Sequence, residues 1–510
     1  MVNRDEWRWA AVWAAVLAAL TVLPYLVVYL AMPADLFYMG FLSNPEDGHS
    51  YLAKMRQGWR GEWYYHLAFT PELHEREFLF TYYLGLGHVA RWTRLPLPLV
   101  FHIVRAINSV FLLLVLYWAV AQFCEEVAQR RFAFLITAVG SGLGWLAMLF
   151  GGLTADLWIP EGFVLYSVFV NPHFPLGIAL MTLILLWSVT PWNTPRIEWL
   201  RLVGVALCTV ALVVIQPFCL LTVGLVLLIY ALVRWVWKRR PPWREIVSGV
   251  VFGIAGAPLA ISGYLSTTRN PAFAGWSALN QTPSPPPWDY VIGYGVVLFL
   301  ALFGLWHAIR RRRDGDLFLV VWVLTTTILI YLPYSLQRRL VMGVIVPMGV
   351  LAAIGWQMPP IRQRPKGAMI CAFSALTPVS LIVISLLMAL MGHESLFMSE
   401  DERDALRWMA DEVPPDALVV ASPEMGLYIP AWSGQRVYYG HRFETADADR
   451  RRAQMEAFYG EGERDLSPSP DYVFYGPREQ ELSGSNWQPD PNWQVVYDQG
   501  AVTIYAVLQE

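Results

Sequence analysis

Charge is what this sequence has little of. Only 15% of its 510 residues are Asp, Glu, Lys or Arg, while 56% are apolar. A soluble chain carries about 25% charged residues, so the balance excludes an ordinary soluble domain. The net charge is -3, with no basic domain and no acidic tail, which leaves no electrostatic footprint for nucleic acid. Cysteine is scarce too. Cys124, Cys208, Cys219 and Cys371 all fall in or beside apolar segments. No disulfide framework is therefore expected, and each reads as a small buried apolar side chain. The motifs of soluble enzymes are missing: no P-loop, no G-x-S-x-G elbow, no H-E-x-x-H. The apolar runs 132–151, 174–190, 246–264, 317–333 and 367–391 contain no Asp, Glu, Lys, Arg or His. Ion-coupled transporters and proton pumps need such groups near the midplane, so this absence argues against them.

What is present is a series of about eleven apolar runs, each near the roughly 20 residues that cross a bilayer as helix. They lie at 9–31, 99–122, 132–151, 174–190, 200–216, 218–236, 246–264, 289–309, 317–333, 340–356 and 367–391. The 24 Trp and 24 Tyr suit a protein with long membrane–water interfaces. The first run is too long for a signal-peptide core, and no small-x-small cleavage site follows it, so it reads as a span. Gln216-Pro217 marks a turn between two spans or a break within one. With the N-terminus inside, the short inner loops carry fourteen Lys/Arg, including Arg310 to Arg313 and Arg362, Arg364 and Lys366, against three in the short outer loops. The expected topology is therefore a multi-pass cell-membrane protein with a cytoplasmic N-terminus and an exoplasmic C-terminal region. The polar residues gather outside, in a long first loop at about 32–98 and in segments at about 152–173 and 265–288.

Near residue 395 the composition changes. Charges become frequent, a helix is expected at 400–412 behind Ser399, and another at about 446–459. Strands are expected at 417–421, 436–439, 471–475, 494–497 and 502–508. The expected division is a transmembrane domain over 1–394 and an exoplasmic α/β domain over 395–510.

Three polar features stand at the outer boundary. Glu46-Asp47-Gly48-His49-Ser50-Tyr51 puts carboxylates beside a glycine just after the first span. Asp47 there suits a general base or a metal ligand, and the alternative is that the two acids cap a helix starting at this point. Arg338-Arg339 runs against the inside bias for cations. A guanidinium fork fits a phosphate, while snorkelling to anionic headgroups is the bland account. The third is a scatter: His74, Glu75 and Glu77, then Asp156, Glu161 and His173, with His102 and Arg105. Asp47, Asp156 and Glu161 are the metal candidates, although no zinc or calcium spacing is matched.

Asp47 with Tyr51, followed by Arg56-Gln57-Gly58 and Gly61-Glu62-Trp63, resembles the acidic first-loop motif of the GT-C membrane glycosyltransferases. That superfamily includes protein O-mannosyltransferases, aminoarabinose transferases and oligosaccharyltransferase catalytic subunits. Asn171-Pro172-His173-Phe174, Gln337-Arg338-Arg339 with Pro347, and Gly434 to Thr445 with Gly440-His441 are similar to segments of its bacterial members. The resemblance implies transfer of a sugar from a polyprenyl-phosphate donor to a lipid, glycan or protein acceptor at the outer membrane face. It implies that Asp47 deprotonates or orients the acceptor and that Arg338 or Arg339 binds the donor phosphate. Glu46, His49, Tyr51, His74, Glu161 and His173 are the candidate substrate contacts. The sequence departs from the oligosaccharyltransferases in lacking their Asp-x-Asp and Trp-Trp-Asp signatures, which leaves a divalent metal cofactor open. A lipid or lipid-linked glycan transporter and a non-catalytic membrane scaffold are the rival classes.

Overall fold

The structure, a computed structural model, describes residues 2–33, 35–191, 194–358, 367–484 and 487–508. Each apolar run becomes helix. Among the described residues, seven helices are long and apolar enough to cross a membrane: Arg4–Ala31, Leu97–Ala121, Val127–Leu149, Arg196–Ile215, Cys219–Lys238, Trp243–Arg269 and Pro287–Arg311. Gly367–Ser374 and Leu376–Leu390 form a pair bent by 41° that would make an eighth span. His173–Val189 and Ile345–Trp356 are apolar but shorter, and Asp314–Leu329 completes the set. Gln216-Pro217 separates two helices, since one ends at Ile215 and the next begins at Cys219. Proline lacks the amide the first helix would need to continue. The four cysteines are free. The basic loop with Arg362, Arg364 and Lys366 lies outside the described residues.

The chain divides into two compact units. One comprises residues 1–24, 102–261 and 282–385, and its elements among the described residues are all helices. Its core centres on large enclosed side chains such as Trp322 and Tyr117. Helices Pro287–Arg311 and Ile345–Trp356 approach through glycine on both sides. A Cβ at Gly304 would stand 1.9 Å from the Leu351 carbonyl oxygen, and one at Gly355 2.1 Å from that of Leu300. Where lipid replaces water, helices associate by such close approach rather than by hydrophobicity. The charged N-terminus is absorbed: buried Glu6 accepts from Arg130 at 3.0 Å and from the Tyr117 hydroxyl at 3.1 Å.

The other unit comprises residues 25–101, 262–281 and 386–510. The expected first outer loop therefore folds together with the C-terminal segment. Strand β1 (Leu36–Tyr38) pairs antiparallel with β2 (Phe397–Ser399). Helix Glu400–Glu412 follows, opened by a capping box in which Ser399 and Glu402 satisfy each other's amides. A five-stranded sheet is built from β3 (Leu418–Val420), β4 (Arg436–Val437), β5 (Tyr472–Tyr475), β6 (Trp493–Gln499) and β7 (Val502–Val507), in the order β4-β3-β5-β7-β6. β3 runs parallel to β4 and β5, and β5, β7 and β6 are antiparallel neighbours. The expected strands and the two expected helices are all present. Helices Pro423–Trp432 and Pro477–Ser483 were not expected, because each is short and opens on a proline that reads as a loop signal.

Candidate active site

Helix Pro45–Arg60 begins after Asn44, whose φ of 51° turns the chain sharply into it. Asn44 makes no side-chain cap bond to the helix amides. Its amide nitrogen instead donates to Asp47 Oδ2. Asp47 sits in the first helical turn, where the helix dipole favours a negative charge, and its side chain is 42% exposed. Opposite it, in the same unit, lies the turn 440–445. The His441 carbonyl accepts from the amides of Glu444 and Thr445 at 3.0 and 2.8 Å, which tightens this turn. His441 Nε2 faces Asp47 Oδ1 at 3.6 Å, an ion-pair separation rather than a hydrogen bond. The Phe443 amide donates to Nδ1 at 3.2 Å, so the proton of a neutral ring sits on Nε2, toward Asp47. Burial opposes charging this imidazole, but Asp47, Glu444 and Glu46 outweigh burial and raise its pKa above the usual value. Glu46 Oε1 accepts from the Arg442 amide at 3.4 Å. Both first-turn acids thus face the 441–442 turn.

One turn deeper the same helix face carries a buried ionic cluster. Positions 47, 50 and 54 share a face at helical spacing. Lys54 Nζ donates to Glu444 Oε1 at 2.7 Å and to Ser50 Oγ at 2.6 Å. Ser50 also donates to Glu444 Oε1, and the Tyr65 hydroxyl donates to Oε2 at 2.9 Å. The ammonium lies over the Phe80 ring at 4.7 Å and the Tyr65 ring at 5.3 Å. Burial works to raise the Glu444 pKa, yet Lys54, His441 and Ser50 prevail and hold it below the ordinary carboxylate value. Glu444 stays ionised and pins the 441–445 turn to the helix that carries Asp47.

The other candidates in this unit have varied surroundings. His49 is fully enclosed. Its Nδ1 donates to the Pro45 carbonyl at 2.7 Å, and its ring lies 4.7 Å from that of Tyr428 and 5.3 Å from that of Phe41. Burial, with Arg478 nearby, lowers its pKa to about 4 despite the Pro45 bond. Tyr51 stacks on Tyr83 at 4.4 Å. His74 staples its own loop, accepting from the Leu67 amide at Nε2 and donating to the Glu72 carbonyl at Nδ1, both at 2.9 Å.

The remaining candidates lie in the helical unit. The Arg338 guanidinium stacks over Trp158 at 4.6 Å, and its backbone amide donates to the Thr282 carbonyl at 3.0 Å. Neither Arg338 nor Arg339 has an ion pair among the described residues, and the Nε of each is buried without a hydrogen bond. Glu161 is buried, with Oε2 unpartnered. The charges of Glu161 and Arg338 both reach Tyr290, so they share one neighbourhood. Asp156 is fully engaged: Oδ2 accepts from the Gly142 and Gly144 amides at 3.1 Å and Oδ1 from Thr154 at 2.6 Å. Among the described residues no group of three or more His, Cys, Asp or Glu could hold a metal ion. His173 opens helix His173–Val189 with its ring 4.2 Å from that of Phe174. Arg105 is completely buried, donating to the carbonyls of Val168 and Phe169 at 2.8 and 3.0 Å. It satisfies the free carbonyls at the end of helix Val164–Val170.

Sequence reasoning missed Ser50, Lys54, Tyr65 and Glu444. One signal was available. Asp47, Ser50 and Lys54 form a polar stripe along a helix whose other neighbours include Leu52, Ala53 and Met55, and a lysine within a buried stripe calls for an acid. That the acid is Glu444 depends on long-range folding.

No family model and no curated protein sequence matches the chain. Its fold is nevertheless similar to solved structures. One is ArnT from Cupriavidus metallidurans in the apo state, at 15% identity and a TM-score of 0.53 over 97% of both chains. The same protein bound to undecaprenyl phosphate gives a TM-score of 0.54 at 15% identity, over 97% of this chain and 98% of that one. Arabinofuranosyltransferase AftD from Mycobacteria gives 0.52 at 13% identity, over all of this chain and 40% of that one. Identities this low speak to fold and not to activity. The expectation drawn from the first-loop motif holds at that level: this chain has the fold of the GT-C membrane glycosyltransferases.

Proposed function

We propose that this protein transfers a sugar from a polyprenyl-phosphate carrier to an acceptor at the outer membrane face. The observation that carries this is Asp47. It is a half-exposed carboxylate at a helix N-terminus, held from behind by Asn44 and facing buried His441, in a fold shared with a protein solved with undecaprenyl phosphate. All eleven apolar helices make up the membrane part in this proposal, with the N-terminus inside and the C-terminal region outside, as the basic inner loops require.

In the reaction, Asp47 takes the proton of the acceptor's nucleophilic group as that group bonds to the anomeric carbon. The bond from this carbon to the carrier phosphate breaks, and its electron pair leaves with the phosphate. Arg338 and Arg339, guanidiniums with no ion pair among the described residues, suit a phosphate group. His441 holds Asp47 in place and accompanies its change of charge. A scaffold or transporter of the same fold would need no such carboxylate.

Purified protein incubated with a panel of polyprenyl-phosphate sugars should release carrier phosphate when the right sugar and acceptor are present. D47N should lower the rate about a hundredfold or more, the scale of a general base, with the protein still folded and inserted. Undiminished release by D47N would overturn the assignment.

A further inference from the structure

A cavity in the unit containing Asp47 is lined by residues apart from that site. It encloses about 440 Å³, within the range of small-ligand pockets. Five arginines line it, Arg56, Arg91, Arg94, Arg403 and Arg407, and no carboxylate does. Arg403 and Arg407 are partly neutralised from outside, by Glu400 and Asp404. Arg56, Arg91 and Arg94 have no ion pair among the described residues. Arg56 is deeply buried. It donates to the Trp432 carbonyl, while its Nε has no hydrogen-bond partner among the described residues. Burial and Arg60 push its pKa down to about 10, and the Asp411 carboxylate offsets this only in part. Such crowding of one sign disfavours the compact state unless an anion relieves it.

The rest of the wall is apolar. Phe37, Leu52, Trp59, Leu406 and Trp432 line the cavity, and Leu95 to Pro98 run along its edge. Those last residues lead into helix Leu97–Ala121, one of the candidate membrane spans. Trp59, Trp92 and Leu95 are exposed, as aromatic and apolar side chains are at a membrane–water interface. A bare phosphate would satisfy the arginines but leave the apolar wall wet. A neutral lipid would fill the wall but leave the arginines unpaired.

We propose that this cavity binds an anionic phospholipid of the surrounding bilayer, its phosphate on Arg91 and Arg94 with Arg56 behind, and its chain leaving along Trp59 and Leu95 to Pro98. The volume suffices for a phosphate headgroup and the start of a chain, so the remainder continues into the bilayer. None of these residues belongs to the Asp47 cluster, and the proposal stands whether or not the chain transfers sugars.

The full-length protein, delipidated in detergent, is titrated with short-chain phosphatidylglycerol, with phosphatidylcholine of equal chain length and with inorganic phosphate, and binding is read by native mass spectrometry. Phosphatidylglycerol should bind, and R91Q/R94Q should weaken it on the order of thirtyfold, the combined effect of two surface arginines on an anionic lipid. R407Q, an exposed position, should weaken it more mildly and supplies the reading if the double variant loses its fold. Millimolar inorganic phosphate should fail to displace the lipid. Equal binding of phosphatidylcholine, displacement by phosphate alone, or unchanged affinity in the folded variants would each overturn the proposal.

Discussion

Lys54 is an amine with almost no exposed surface, and its neighbours explain why it is tolerated. An isolated buried charge costs several kcal/mol, which only close pairing and complete hydrogen bonding can offset. Glu444, Ser50 and three aromatic rings supply both. K54M should therefore cost about 3–5 kcal/mol, because it leaves Glu444 charged and buried. The double variant K54M/E444Q should recover a good part of that loss, as both charges are then gone. Denaturant unfolding of the purified protein measures both, and a double variant no more stable than K54M would show that the pair does not act as a unit. His49 gives a pH signature. Its folded pKa is about 4, below the ordinary value of roughly 6.5. The stability it contributes is present above 6.5 and is lost as pH falls toward 4, by roughly 3 kcal/mol in all. His441 is raised instead. Its contribution is complete below 6.5 and is lost only as pH rises through its folded value. Glu444, Glu62 and Glu72 are lowered, so their contributions fade only below about 4.5. Between 6.5 and 4.5 the loss from His49 and from His74, which burial also lowers, is opposed by Glu479, whose pKa burial raises to about 7 so that it adds stability as pH falls. H49F should therefore raise the stability at pH 5 relative to that at pH 7, and an unchanged melting profile across that window would refute this account.

Elements were legible where their signal is local. Apolar runs of span length, the Ser399 cap and the alternation in β3, β5 and β7 need only neighbouring residues to be read. The helices at Pro423–Trp432 and Pro477–Ser483 needed more. Each opens on a proline at its first turn, but Pro430 inside the first and the shortness of the second hide the helix signal. Helix Pro45–Arg60 was visible as a polar segment following a span, but its packing was not. A Cβ at Gly58 would stand 2.0 Å from the Leu84 carbonyl oxygen, and one at Gly87 2.0 Å from that of Met55. Two glycines, Gly58 and Gly87, thus let this helix and Thr81–Thr93 touch backbone to backbone, and no local pattern announces such a meeting. The site divides in the same way. Asp47 stood out as an acid beside a span, and Gly440-His441 as a turn. That Asp47 faces His441, and Lys54 faces Glu444, depends on contacts between residues almost four hundred positions apart. The buried lysine was the overlooked clue, since a charge on an enclosed helix face implies a partner of opposite sign.

At the scale of the molecule, the first long loop and the C-terminal segment share one compact unit, which in the proposed topology puts the segments after Ala31 and after Leu390 on the same side of the membrane. The topology proposed from the basic inner loops puts that side outside. This can be tested with the chain's own chemistry, because three native cysteines are buried and the fourth, Cys208, lies within an apolar helix. Single cysteines are introduced at Glu461, exposed after helix Ala448–Gly460, and at Glu125, whose side chain is 85% exposed between two candidate spans. Acidic residues contribute little to membrane orientation, so neither replacement should reorient the chain. In intact cells E461C should react with a membrane-impermeant maleimide, and E125C only after permeabilisation. The opposite pattern would place Asp47 and the Lys54–Glu444 cluster inside. Labelling of both sites in intact cells would break the rule that successive apolar helices alternate sides. Only the expected pattern leaves Asp47 facing the compartment in which the proposed sugar transfer takes place.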